Sequence, residues 1–201
     1  MKYRKGFVSN SSSSSFIVLG KNLENHMDKI PEEILKFEHF NWDKTQKYFS
    51  ITLPVEEGEK EFGWEFERYT TFRDKLNFTI AQIMCLDEQP KLESKYKQML
   101  INVLNKHVEN GCVDILIDYN YFHWDSIIEE SCHIDHQSAY YEWVESWHDI
   151  FLSEDILENF LFNTESYIQC GNDNEDPTDD WVESHHLYSE WRRSLKNDKN
   201  S

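Results

Sequence analysis

Between His107 and Trp191 the chain runs for 85 residues without a lysine or an arginine, yet it holds 21 aspartates and glutamates and seven of the nine histidines. Burying an unpaired carboxylate is prohibitive, so a folded segment of this kind must set its acids on the surface. It has no cation of its own to place between them. Neutralisation must come from the rest of the chain or not at all. The net charge of −18 is therefore concentrated in the second half, joined to a first half of mixed sign. Like charges three or four residues apart on a helix each cost a few tenths of a kcal/mol, a cost that interspersed lysines would have removed. Such a balance repels nucleic acid and anionic membrane and favours cationic partners, a basic protein groove or a metal ion.

A length of 201 residues suits a single domain over 1–201, and 39% hydrophobic residues, 15% aromatic, suffice for a sizeable core. Cys85, Cys112, Cys132 and Cys170 stand 27, 20 and 38 residues apart, with no Cys-x-x-Cys pair, so the expected thiols are reduced and mostly buried. Lys2, Arg4 and Lys5 precede a serine run rather than an apolar stretch, and Phe16 to Leu19 is too short for a signal peptide or a membrane span. The expected location is the cytoplasm.

Residues 1–20 read as a leader: Ser11 to Ser15 look like low complexity, but they feed Phe16-Ile17-Val18-Leu19, a β-prone tetrad closed by Gly20. A Walker loop is absent, because Gly6 has no glycine and lysine at the required distance. The string from Arg4 to Val18, RKGFVSNSSSSSFIV, resembles a leader shared by uncharacterised proteins of bacteriophages and related bacterial elements. The block Ser166-Tyr167-Ile168-Gln169-Cys170-Gly171-Asn172-Asp173-Asn174 is similar to a second block that some of them carry. The resemblance implies an origin, a phage-type product acting in the host bacterial cytoplasm, and it brings no catalytic residues.

In the first half, Pro31-Glu32-Glu33 predicts the start of a short helix with Ile34, Leu35, Phe37 and Phe40 as its stripe. Tyr48 to Val55 predicts a strand, and Phe62 to Tyr69 a half-buried one with Phe62, Trp64 and Phe66 on one face. Residues 72–86 and 91–109 predict two helices, the second stopped at Asn110-Gly111, with Lys91, Lys95, Lys97 and Lys106 on a solvated face. Val113, Ile115 and Ile117 predict another strand.

In the second half, Tyr140, Trp143, Val144, Trp147, Ile150 and Phe151 form one face of a helix over 138–152, opposite Glu142, Glu145 and Asp149. Ser153 predicts the cap of a further helix with Ile156, Leu157, Phe160 and Leu161 inward. Asp176 and Pro177 read as the cap and first residue of a last helix, lined by Trp181, Tyr188, Trp191 and Leu195 and closed by Arg192 and Arg193. The fold class expected is α+β, a small and mostly antiparallel sheet packed by four to six helices, with an acidic helical C-terminal half.

Glu142, Glu145, Asp149, Glu154, Asp155 and Glu158 form the expected partner-binding row, extended by Asp173, Glu175 and Asp180. Carboxylates in a row can stand where nucleic-acid phosphates would, so the function expected is occlusion of a basic surface on a host or phage protein. The competing reading is a metal-dependent enzyme or metal-binding protein built on His123, Cys132, Asp135, His136 and His148. Against it, His-Glu-x-x-His, G-x-S-x-G and G-x-G-x-x-G are absent, and Asp114 and Asp118 on one strand lie about 13 Å apart, too far for a two-metal site. The sequence implies no cofactor, leans away from an enzyme and leaves the oligomeric state open.

Overall fold

The computed structural model describes residues 13–53, 60–63, 66–84, 86, 89–117, 132–134, 150–172 and 176–198. The architecture is mixed α/β, with two three-stranded sheets, a two-stranded pair and four α-helices among the described residues.

The first sheet joins β1 (Ser13–Val18), β8 (Tyr167–Asn172) and β5 (Arg68–Tyr69) in the order β1-β8-β5, all antiparallel. The register runs from Ser13 opposite Asn172 to Val18 opposite Tyr167. The end of the serine run is thus a strand, and its partner is the second of the two blocks that carried the phage resemblance. Phe16, Ile17 and Val18 are all buried, so β1 is covered on both faces, since neighbouring side chains on a strand point opposite ways.

The second sheet has the order β2-β3-β6, from β2 (Lys36–Phe40), β3 (Lys47–Leu53) and β6 (Gly111–Ile117). β2 and β3 form an antiparallel hairpin whose register slips at Glu38, between Phe37 and His39. The expected helix after Pro31 is therefore a turn followed by a strand. The spacing of Phe37 and Phe40 suits either element. Pairing with Tyr48 and Lys47 decides it, because an isolated two-turn helix is marginal in water. β3 and β6 run parallel, which requires a crossover, and α1 (Phe72–Met84) and α2 (Pro90–Lys106) lie within it. On β6, Val113 and Ile115 are buried while Asp114 and Leu116 are exposed, as their alternation predicts.

The single strand expected over Phe62 to Tyr69 is two strands in different sheets. β4 (Lys60–Phe62) pairs in parallel with β7 (Cys132–Ile134), and β5 pairs with β8. The break falls at Gly63, whose φ of 134° is closed to residues with a Cβ.

α1 is the centre of the core. Leu76, Phe78, Ile80 and Ile83 are buried, but so are Asp74, Lys75, Asn77, Thr79 and Gln82, so this helix has no solvated stripe. α2 and α3 (Glu154–Phe162) pack beside it, with Tyr96, Leu100, Val103, Leu104, Leu157, Phe160, Leu161 and Phe162 closing the apolar cluster. Ser153 caps α3 as expected, its Oγ accepting from the Ile156 amide at 3.2 Å. Ile150 and Phe151, from the stripe expected over 138–152, are buried; residues 138–149 lie outside the described residues.

α4 (Asp179–Asp198) lies across β1 and β8. Its cap is Thr178 rather than Asp176: the Trp181 amide donates to Thr178 Oγ1 at 3.2 Å and the Val182 amide to the Thr178 carbonyl at 3.0 Å. Both residues are of capping type, and the helix starts one turn edge later, leaving Pro177 outside it. Phe16 meets Trp181 edge-on and stacks with Tyr188, with ring centroids 5.5 and 5.3 Å apart. Among the described residues no helix is long and apolar enough to cross a membrane.

Candidate functional site

Three of the nine acids expected to form a partner-binding row lie on α3, and two of these are not free. Glu154 and Glu158 flank Lys106, the last residue of α2, whose Nζ lies 3.2 Å from Glu154 Oε2 and 3.0 Å from Glu158 Oε2. Asn102 donates to the other oxygen of Glu154 at 2.9 Å. Hydrogen bonds from Asn102 and Lys106 hold the Glu154 carboxyl below its usual range. For Glu158, partial burial works the other way, but the bonds from Lys106 and His107 prevail and lower it too. His107 stacks on Phe162 at 3.6 Å and contacts Glu158 Oε1 at 3.0 Å with one ring nitrogen and the Asp28 carbonyl oxygen at 3.2 Å with the other. The expectation that this helix carries an unneutralised row is thus corrected. The cation comes from the residue immediately before the lysine-free stretch, brought across by the packing of α2 on α3.

Asp155 is exposed on the same helix. Asp180 is exposed in the first turn of α4, beside exposed Asp176, Asp179 and Glu183. Among the described residues no ion pair reaches these five acids. The arginines of α4, Arg192 and Arg193, sit two and a half turns or more along the helix from its acids, roughly 14 Å from Glu183 and about 20 Å from Asp179 and Asp180 at 1.5 Å per residue. The acids of the first turns also meet the positive end of the helix dipole, which accommodates them without a counter-ion. Glu142, Glu145, Asp149, Asp173 and Glu175 lie outside the described residues.

Of the alternative metal set, Cys132 lies at the start of β7, opposite Lys60, while His123, Asp135, His136 and His148 lie outside the described residues. Among the described residues no three His, Cys, Asp or Glu side chains converge as a ligand group.

A cleft with no signature in the sequence opens where the end of β1 meets α4. Its volume is about 570 Å³, and Leu19, Tyr167, Leu187 and Trp191 wall it, with Lys21, Glu165 and Glu190 also in its lining. Gly20, Asn159 and Glu165 in its lining belong to a hydrogen-bond network that continues behind the cleft. Asn159 Nδ2 donates to the Gly20 carbonyl at 3.1 Å, and Asn163 Nδ2 donates to the Asn22 carbonyl at 3.0 Å and to Asn159 Oδ1 at 2.9 Å. Ser166 Oγ donates to the Asn159 carbonyl and accepts from the Gly20 amide at 2.8 Å. Glu165 is held by Asn25 Nδ2 at 2.6 Å. This network clamps residues 20–25 to the end of α3.

The chain matches no family model, no curated protein and no solved structure.

Proposed function

We propose that this chain is an acidic, phage-type binding protein that occludes a basic surface of a host or phage protein in the bacterial cytoplasm. The observation that carries the reading is the start of α4, where Asp176, Asp179, Asp180 and Glu183 are exposed with no ion pair among the described residues. Asp155 on α3 joins them as an exposed acid. In this reading 1–201 acts as one domain, and α3 and α4 are the described helices of its acidic half, which also holds β6, β7 and β8. A net charge of −18 steers a basic partner toward that face from a distance, and the exposed carboxylates take the places of nucleic-acid phosphates.

Binding of this kind weakens as salt screens the charges. The test is capture of partners on the immobilised chain from bacterial lysate at low and at moderate salt. A basic nucleic-acid-binding protein retained at low salt, released at moderate salt and displaced by DNA supports the reading. Recovery of no basic protein at low salt ends it.

A further inference from the structure

Asn110 and Gly111 make the only Asn-Gly step in the sequence, and they lie where the turn after α2 enters β6. Asn110 is exposed and takes a φ of 52°, in the left-handed region that asparagine tolerates better than most residues. The glycine is imposed by packing. A Cβ at position 111 would stand 2.7 Å from Val108 Cγ1 and 2.8 Å from Phe49 Cε2, inside contact distance. The fold therefore keeps a glycine after this asparagine, and no side chain on residue 111 shields its nitrogen from the Asn110 side chain. The strand's own hydrogen bonds also leave that nitrogen aside. β6 is an outer strand, and the Lys47 amide donates to the Asn110 carbonyl at 2.9 Å. With Lys47 opposite Gly111 in a parallel ladder, the return bond then falls on the Cys112 N–H, and the Gly111 and Val113 N–H groups turn outward. Asn105 Oδ1 takes the Val113 N–H at 2.7 Å, whereas among the described residues no acceptor meets that of Gly111. The peptide plane between Asn110 and Gly111 is held at the first rung of the ladder, where a strand opens most easily.

We infer that Asn110 is a site of spontaneous deamidation, converted through a cyclic imide to aspartate and isoaspartate. The Gly111 nitrogen attacks Asn110 Cγ. An N–Cγ bond forms, the Cγ–Nδ2 bond breaks, and ammonia leaves with the proton that Gly111 gives up. The two reacting groups stand on neighbouring residues of one chain, which makes the attack intramolecular. Water then opens the imide at either carbonyl, and no other reactant enters. Opening at the Cγ side leaves aspartate. Opening at the backbone side routes the main chain through Cβ, adding a methylene at the start of β6. The carbonyl that Lys47 binds then becomes a pendant carboxylate, so the junction of β3 and β6 loosens as the protein ages.

The test is prolonged incubation of the full native chain at pH 8, with peptide mapping by mass spectrometry at intervals. A synthetic peptide of residues 106–116 is incubated beside it. The fragment holding Asn110 should gain the mass difference between OH and NH2, with isoaspartate the larger product. Fragments holding Asn105 and Asn163, which precede Lys106 and Thr164, should keep their mass over the same period. Asn110→Gly accepts the positive φ and removes the reacting amide. It should match the fresh wild type in circular dichroism. The aged wild type should then unfold at a lower temperature than the fresh protein, and the aged variant should not. A native chain with Asn110 intact when the peptide has converted overturns the inference, as does conversion of Asn105 or Asn163 ahead of Asn110. Conversion of Asn110 with no change in unfolding temperature overturns the loosening of β3 from β6.

Discussion

The Lys75 ammonium donates to the carbonyl oxygen of Asn163 at 2.8 Å, joining the central helix to the C-terminal end of α3. The side chain is 1% exposed. A cation at a helix C-terminus is favourable, but taking it out of water is not, and burial pushes its pKa down from 10.5 to about 8.

This depressed value sets a pH dependence. Between pH 8 and 10.5 the folded chain has released the Lys75 proton while the unfolded chain still holds it, so stability rises with pH across that window. Below pH 8 the full burial penalty remains, on the order of 3 kcal/mol. Cys170 works in the opposite sense above its ordinary value of 9.0, because burial pushes its thiol up. The rise is therefore clearest between pH 8 and 9. Denaturant unfolding of the wild type and of Lys75→Met should differ in slope there, the variant losing the rise. Equal slopes would remove Lys75 from the account.

Gly171 lies against the indole of Trp181 so closely that a Cβ at this position would overlap Nε1. The strand and the first turn of α4 depend on that approach. Gly171→Ala should destabilise the chain by about 1–3 kcal/mol through overpacking. Thermal unfolding measures it. Trp181→Leu in the same chain should recover part of the loss, since two residues in contact do not act additively.

Asp179→Asn, Asp180→Asn and Glu183→Gln together should weaken capture of a basic partner and flatten its salt dependence. Lys106→Ala should act in the other direction by uncovering Glu154 and Glu158. Retention on a polylysine matrix across a salt gradient reads both. Identical elution of the two variants would mean that these carboxylates do not face the partner.

Of the two cysteines with described side chains, Cys112 is partly exposed and Cys170 is buried. A thiol reagent at pH 8 should label Cys112 in the native chain and reach Cys170 only after denaturant is added. Mapping the labelled peptides by mass spectrometry checks the order.

The parts of the fold that were legible in the sequence are those that local physics decides. Ser153 announced α3 because a capping hydroxyl precedes an apolar stripe, and Val113 and Ile115 announced β6 by alternation. The stretch from Pro31 to Phe40 misled because Phe37 and Phe40 fit a helical stripe as well as a strand, and only the distant partner β3 settles the choice. Asp176 and Thr178 are both capping types two residues apart, so the start of α4 was readable only to within a turn. The pairing of Lys106 with Glu154 and Glu158 spans about 50 positions and leaves no local trace. Nor did anything mark Lys75 as buried. Its neighbours Asp74 and Asn77 make the helix look solvated, yet all three lie in the core.

The register of β1 on β8 bears on how the chain comes to be folded at all. Ser13 waits for Asn172 and Val18 for Tyr167, so the first strand has no partner until most of the protein has left the ribosome. Closing a loop of this length is slow, and an apolar strand stays open to solvent during synthesis. Half of that waiting strand, Ser13 to Ser15, is serine, so its apolar part is only Phe16 to Val18.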